Sequence, residues 1–571
     1  MLGGPTPQDR QQAIAQDIRE LHGLGYAQEL FRSMGGFSNF AISFSIISIL
    51  TGAIILYDYG LAWGGTAASL IGWPLVTIFV LAIAAAMAEV ASAYPTAGGL
   101  YYWASKMKNK DWGWWTAWLN LGGQIAIVAG INFAAAAFIN GTIIDKIFGG
   151  TFNTATFGPI SGQVVTMGVL MLVQLVLNIG GIRVVAFLND LSVWWHIVFV
   201  VAIAVALFLF GTQWTTTTNP DIVLFSTTPL DTVGSWANSW PIDCWIDDPS
   251  SCLVNIGFPA ASQYPVLFGF LPVAFFFSLL QANWTYTGYD ASAHVAEETI
   301  GARLGSAWGV FLSVAVSAIV GYIVLFALTL HLPDMSTLFP KELTDETFPA
   351  SSQYYFGGGV AVISILETNL EALGSWFGAA IAVAMSLCGL SSIASAGRML
   401  FAFSRDDGIP GSRWLKKVSH RYRTPANSLG AIVVFSWLFT AAAFMVGGGV
   451  AIVVVTAIST ILLYAAYGVV IYLGLTTSEW RSHQVWSLGR WSRPVAWAAL
   501  FWTAVLMVLF AFPTSGNISW PFMVGFFVFL LVYYYAWAKK RFMGPHIMGR
   551  EAELTEIERE FEEAAEHLRE A

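Results

Sequence analysis

A carboxylate and an imidazole stand inside apolar runs of this sequence, where an ionisable group is costly unless it is neutralised, paired or hydrated. Asp290 lies in NWTYTGYDASAH, and is expected there to titrate or to bind a cation. His196 lies in NDLSVWWHIVFVVAI, flanked by Trp194, Trp195 and a long apolar stretch. Its ordinary pKa of about 6.5 lets it change charge near neutral pH, although a lone histidine in a membrane helix also serves as a hydrogen-bonded packing residue. Close to Asp290 are Trp284, Tyr286 and Tyr289. Their ring faces can hold an ammonium or quaternary amine at about 0.5 to 2 kcal/mol each, or simply pack, in a chain that is 15% aromatic. A third run, WTAWLNLGGQIAIV, places Asn120 and Gln124 where each could hydrogen-bond a solute or cross-link helices; Gln124 is the better pocket-lining candidate.

Two apolar runs are interrupted by small polar residues. SFSIISILTGAII carries Ser43, Ser45, Ser48, Thr51 and Gly52, and the run containing Asp290 carries Asn283, Thr285, Thr287, Gly288 and His294. Each has a Thr-Gly pair near its middle, Thr51-Gly52 in one and Thr287-Gly288 in the other. Glycine weakens a helix and lets backbone approach a ligand, and backbone groups freed inside lipid must find protein, water or solute. Breaks at matching places in two halves of a chain point to the binding site of a secondary transporter. Small residues that let helices pack closely are the simpler alternative.

These residues need elements to carry them, and the composition says which. The chain has 571 residues, 56% hydrophobic and only 11% charged, which excludes a water-soluble globular class. A bilayer core needs roughly 20 apolar residues per helical span. Spans are placed near 36–58, 66–93, 112–140, 160–180, 185–211, 268–293, 303–330, 372–403, 427–446, 449–474, 492–512 and 520–540. The expected fold class is therefore an all-α polytopic membrane protein with twelve spans. With both termini inside, Arg10, Arg19, Arg32, Lys106, Lys108, Lys110, Arg183, Arg303, the 398–423 cluster, Arg481, Arg490 and Arg493 fall on the cytoplasmic side, leaving Lys146 and Lys341 outside. That distribution satisfies the positive-inside rule.

The remaining features narrow the class. The net charge of -9 owes much to the acidic stretch ELTEIEREFEE near the end, so it says little about a substrate. That tail reads as a surface helix, and no function is assigned to it. Three cysteines cannot make a disulfide scaffold or a four-thiolate zinc site. Cys244 and Cys252 could close a loop outside the membrane, while Cys388 reads as a small buried apolar residue. The first 35 residues lack an apolar core, so no signal peptide is expected. No ring of charges or repeated carbonyl filter suggests a channel. No nucleophile with its base and no His-Glu-x-x-His cluster suggests an enzyme. No cofactor, metal or nucleic acid is expected. A sensor built on a transporter fold is separated from a transporter by measuring flux.

Three long segments, MAEVASAYPTAGGLYYWASKM (87–107), FSLLQANWTYTGYDASAHVAEET (277–299) and ASAGRMLFAFSRDDGIPGSRWLKKVSHRYRTPANSLG (394–430), closely resemble the amino acid-polyamine-organocation superfamily. Within it the sequence is most similar to the amino acid/choline transporter branch, which includes GABA and choline permeases. The resemblance runs from about residue 35 to 535 and implies a LeuT-type fold. Residues 1–35 would then form a cytoplasmic segment, 36–211 and 268–474 two inverted five-helix repeats, 492–540 two further helices, and 541–571 a cytoplasmic acidic tail.

The resemblance also implies a site. Leu50-Thr51-Gly52 matches the break in the first helix whose amides receive a carboxylate in similar transporters. Leu50 replaces the family's first glycine and crowds one approach, which argues against tight α-carboxylate clamping. Trp284, Tyr286, Gly288, Tyr289 and Asp290 match positions that shape the pocket in similar transporters, and Ser48 and Gln124 join them as substrate-binding candidates from their own places in the apolar runs. His196 falls where many relatives carry a lysine whose ammonium takes the place of a sodium ion; with Asp290 and the nearby Ser391, Ser392 and Ser395 it is the implied coupling site. Glu297-Glu298 would be structural or gating, and PTAGGLYYWASKM (95–107) a short helix under the inner gate. The implied function is secondary active transport of a small amine-bearing metabolite (GABA, another amino acid, choline or a polyamine) across the cell membrane by alternating access. Protons are the expected driver, sodium is less suited, and exchange of two solutes stays open. Membrane lipid surrounds the chain, and the basic 405–423 segment could meet anionic headgroups or simply set orientation.

Overall fold

A computed structural model describes residues 7–148, 152, 156–157, 160–227, 266–267, 271–334, 338, 360–447, 451–511 and 519–570. Eleven helices among the described residues are long and apolar enough to cross a membrane: Gly36–Ile55, Ala68–Ala93, Lys110–Phe148, Gly162–Ile179, Ile182–Phe210, Ala302–Leu330, Ala372–Arg405, Ala426–Ala443, Ile452–Thr476, Gly489–Phe510 and Phe522–Arg541. They match the expected spans one to five and seven to twelve. The sixth is present only in pieces, Val273–Ser278, Leu280–Thr285 and Ala291–His294, none long enough to cross alone. The protein is an all-α polytopic membrane protein, with only two antiparallel pairs of two-residue strands (Thr156–Phe157 with Ile160–Ser161, and Val266–Leu267 with Leu271–Pro272) among the described connections.

Local chemistry sets the ends of the spans. The Asn109 side chain accepts from the backbone N–H of Asp111 and Trp112 and so caps the third span, and Ser161 caps the fourth through the N–H of Val164. Gly181, at φ 108°, makes the tight reversal between the fourth and fifth spans. The first, third, eighth and tenth spans are the most buried, and the twelfth the least. On the fifth, Val198, Val201, Val205 and Leu209 are exposed while His196, Val200, Ile203 and Leu207 are buried, so one face meets lipid and the other carries the imidazole inward.

The break in the first span differs from the expected one. Helix runs from Gly36 to Ile47, stops at Ser48, which adopts φ 37°, and resumes at Ile49–Ile55. A left-handed serine costs of order 1–3 kcal/mol, and its side-chain bonds, described below, hold it there. Thr51 and Gly52 are helical instead. Gly52 serves close packing, because a Cβ on it would lie 2.7 Å from the Thr285 backbone of the sixth span. In the sixth span Thr287-Gly288 does sit in the break, with Gly288 at φ 81° and its α-carbon pressed against Ile46. Each Thr-Gly pair thus faces the other broken span. Cys244, Cys252 and Lys341 lie outside the described residues.

Gly52→Ala should push the first and sixth spans apart at a cost of about 1–3 kcal/mol. A lowered midpoint of thermal unfolding in detergent is expected for it and not for Gly525→Ala, where a Cβ meets open space; equal midpoints would remove the packing role.

Candidate functional site

Asp290 is fully buried and surrounded by donors from three spans. Asn120 Nδ2 and Gln124 Nε2 of the third span donate to its Oδ2 at 2.7 and 3.4 Å, and Tyr467 of the tenth donates to Oδ1 at 2.9 Å. His294, one turn along the sixth span, lies 3.2 Å from Oδ2. Asp290 is therefore held by protein groups on both oxygens. Around it three buried polar atoms have no protein partner: Asn120 Oδ1, Gln124 Oε1 and Tyr289 Oη. A buried acceptor or hydroxyl left in this way costs about 1–3 kcal/mol until something fills it.

The break in the sixth span is held from the tenth and first. Tyr464 Oη lies 3.1 Å from the carbonyls of Asn283 and Tyr286, Tyr467 Oη accepts from the Gly288 N–H at 3.3 Å, and Ser43 Oγ donates to the Tyr289 carbonyl at 2.8 Å. Trp284 Nε1 donates to Ser459 Oγ at 3.0 Å, and Tyr286 Oη meets Thr77 Oγ1 at 2.7 Å with its ring against Trp73. Tyr289 packs on Tyr467 at 5.0 Å between centroids. All three predicted aromatics are brought to this break, each also packed or bonded within the protein.

His196 reaches the other break. Its Nε2 is 2.7 Å from Ser48 Oγ, which is 2.5 Å from Thr51 Oγ1, and its Nδ1 is 2.7 Å from the Ser192 carbonyl. The amide groups of Thr51 and Gly52, predicted to be free, both donate to the Ser48 carbonyl at 2.8 Å. Ile49 and Leu50 open the resumed helix, so its N-terminal turn lies beside Ser48 and not at Thr51-Gly52. Ser391 and Ser392 of the eighth span do not bond His196. Ser391 Oγ has Asn189 Oδ1 and the Leu387 carbonyl within reach of its single O–H, and Ser392 Oγ donates to the Cys388 carbonyl at 2.9 Å. Ser395 Oγ accepts from Gln124 at 3.3 Å instead. Cys388 is more than an apolar filler, for its thiol donates to the Ile46 carbonyl beside the break at 3.3 Å.

Below both breaks lies a layer of buried ion pairs. Arg398 grips Glu298 at 2.5 and 3.1 Å, and Arg405 grips Glu297 at 3.0 and 2.8 Å, while Glu297 Oε1 also accepts from the Ala97 N–H at 3.0 Å. These two arginines are thus committed to carboxylates rather than acting only as orientation signals. Arg405 stacks 3.8 Å over Tyr26, and Tyr26 and Tyr101 both donate to Asp406. Burial raises the carboxyls of Glu29 and Asp406 above the ordinary range, against the pull of Arg405. Arg32 binds Gln28 Oε1 and the carbonyls of Ala296 and Thr299. The predicted short helix is Leu100–Met107, and its Tyr101 joins this layer.

The acidic tail is a helix, Glu551–Glu570, and it docks here. Glu558 Oε1 is 2.7 Å from both His22 Nε2 and the Gln28 N–H, the Met548 N–H donates to the Gly25 carbonyl, and the His546 N–H to Asp406. Sequence reasoning missed this docking, together with Tyr464, Tyr467 and Ser459, and it named His294 only as a polar residue of the broken run, without its pairing to Asp290. Tyr464 and Tyr467 stand one turn apart in an apolar run, the signal that could have marked them.

The model of the amino acid permease family matches residues 34–534. The amino-acid permease BAT1 of Arabidopsis thaliana is 31% identical over 511 residues, spanning 87% of this chain and 88% of that protein. The GABA-specific permease of Saccharomyces cerevisiae is 25% identical, over 93% of this chain and 86% of its own. A putative polyamine transporter of Candida albicans is 24% identical, over 97% and 93%.

Glu298→Gln leaves the Arg398 charge buried without its counter-charge, at a cost of about 3–5 kcal/mol. The folded fraction in detergent, followed by size-exclusion chromatography, should fall sharply. A variant as stable as the parent would mean that the pair is hydrated in the folded protein.

Proposed function

The chain belongs to the amino acid permease family of the amino acid-polyamine-organocation superfamily, a family of transporters and not enzymes, and from that membership we propose that it is a secondary active transporter of an amino acid or related small amine such as GABA. Alternating access within a LeuT-type arrangement, with 36–211 and 268–474 as inverted repeats and 492–540 as added helices, accounts for two broken spans meeting face to face. A proton gradient drives the flux, and the protein works in the cell membrane with both termini cytoplasmic.

The observation that carries this reading is the meeting of the two breaks beside polar atoms that the protein leaves unpartnered. Asn120 Oδ1 and Gln124 Oε1 are acceptors suited to an ammonium, and the Tyr289 hydroxyl can serve either end of a solute. The N-terminal turn of the helix that resumes at Ile49 and Leu50, beside Ser48, suits an acid end. Thr51 and Gly52 shape the break through the Ser48 carbonyl they bond, and Gly288 lets the two spans touch. Trp284 and Tyr286 wall the site. Asp290 supplies charge behind the amides rather than a direct ligand, since its oxygens are already occupied. Acceptors at one end and donors at the other favour a zwitterion over choline, whose quaternary nitrogen has no N–H to give.

Proteoliposomes offered labelled GABA, alanine, glutamate, arginine, choline and putrescine should accumulate an amino acid of the GABA class, faster with an inward proton gradient. Uptake only into vesicles preloaded with unlabelled solute would replace gradient-driven transport by exchange. For the accumulated substrate, Gln124→Leu should raise the apparent KM about ten-fold, as expected for a lost hydrogen bond to a charged group; an unchanged KM would take Gln124 out of the pocket.

A further inference from the structure

Two histidines face the broken spans, and their partners differ in kind. His196 has a carbonyl, Ser192 O, at Nδ1 and a hydroxyl, Ser48 Oγ, at Nε2. A hydroxyl can donate, so the neutral ring with its proton on Nδ1 satisfies both contacts. His294 has the Ala97 carbonyl 3.0 Å from Nδ1 and Asp290 Oδ2 3.2 Å from Nε2. A carbonyl only accepts, and Asp290 already receives Asn120 and Tyr467 as firm donors, with Gln124 at longer range. A neutral imidazole has one N–H and cannot serve two acceptors. Both rings are fully buried, out of reach of bulk solvent.

We propose that Asp290 and His294 together hold one exchangeable proton, and that this is the proton coupled to transport. The proposal rests on the transporter reading above. With the proton bound, the imidazolium donates to both Asp290 and Ala97, and the pair is neutral overall. Loss of the proton leaves a carboxylate and a ring with a single N–H, which must release one acceptor. Ala97 is the consequential one. Its carbonyl is on the connection between the second and third spans, and its own N–H binds Glu297 of the inner ion-pair layer. His294 is thus a positioning residue that ties proton occupancy at the sixth-span break to the grip on the inner side, and departure of the proton toward the cytoplasm loosens that grip. His196 fastens the first-span break and stays neutral.

The surroundings agree with one proton at the pair. Tyr289, in the break, and Tyr464 and Tyr467, of the tenth span, are the phenols nearby. The first span offers Asn39 and Ser43 and no charge across Gly36–Ile47. The charged residues of the eighth, Arg398 and Arg405, are matched by Glu298 and Glu297. Arg303, the charged residue of the seventh span, binds Glu20 and the Ser92 carbonyl.

The test uses the full-length protein with nitrogen-15-labelled histidine, and signals assigned with His294→Gln and His196→Gln. At neutral pH solid-state NMR should show both His294 ring nitrogens protonated and His196 protonated only on Nδ1. Asp290→Asn should turn His294 into a neutral ring, which keeps the assignment testable even where His294→Gln folds poorly. In proteoliposomes His294→Gln should lose at least ten-fold in gradient-driven accumulation and flatten the pH profile of uptake while slower counterflow persists. His196→Gln should slow transport and keep the parent's pH profile. A neutral His294 beside an ionised Asp290, or a His294→Gln protein with the parental pH profile, overturns the proposal. Absence of counterflow in the parent protein would instead overturn the transporter reading and leave the NMR result to decide the proton pair alone.

Discussion

Everything at the centre of this protein depends on one constraint: a helix interrupted inside a membrane exposes amides and carbonyls that neither lipid nor the helix itself can satisfy. Neighbouring spans answer it with side chains. Tyr464 and Tyr467 of the tenth span, Ser43 of the first, Cys388 of the eighth and, through Ser48, His196 of the fifth each reach a broken segment. Because these partners come from four different spans, holding the breaks also fixes the helices relative to one another. The left-handed Ser48 shows the economy of this arrangement: its hydroxyl is engaged by Thr51 and His196, so the strained conformation is also the bonded one.

The inner side obeys a harsher version of the same rule. Arg398, Arg405, Glu297 and Glu298 are charges removed from water, and a removed charge is tolerable only with a well-placed partner. Such pairs add little to stability compared with apolar packing, but they are specific, since no other arrangement of the same segments satisfies them. Parting such a pair returns both charges to water, and the gain in hydration offsets much of the lost attraction. Buried pairs therefore suit a closure that has to be both definite and reversible.

How much of this was legible beforehand follows from which physics each feature used. Span positions were legible because burial in lipid writes itself into long apolar runs, and the sixth-span break because Gly288 and Asp290 have few other reasons to sit there. The first-span break was misplaced by three or four residues: Gly52 drew the reading, whereas the chain bends at Ser48, held by a histidine 148 residues away. No local pattern announces that pairing. The same holds for Cys388, whose bond to the Ile46 carbonyl exists only because that carbonyl lies beside the break. The resemblance placed His196 at a coupling position, and it does reach the break, yet hydrogen-bond geometry gives it partners that a neutral ring can serve. His294 was read only as one of the polar residues interrupting the sixth span, because its significance lies in what faces it, the Ala97 carbonyl and the Asp290 carboxylate, and not in its spacing.

The docked tail carries a consequence for biogenesis. His22 and Glu558, joined at 2.7 Å, are separated by 536 residues. At a translation rate of about 5–20 residues per second, roughly half a minute to two minutes passes between the synthesis of the first and of the second. During that interval the segment from His22 to Gln28 has no tail to bind, and Asp406, once made, lacks the amide of His546. The ion-pair layer is completed only once residues 546–558 have been made, so spans synthesised earlier stand for that time without these fastenings.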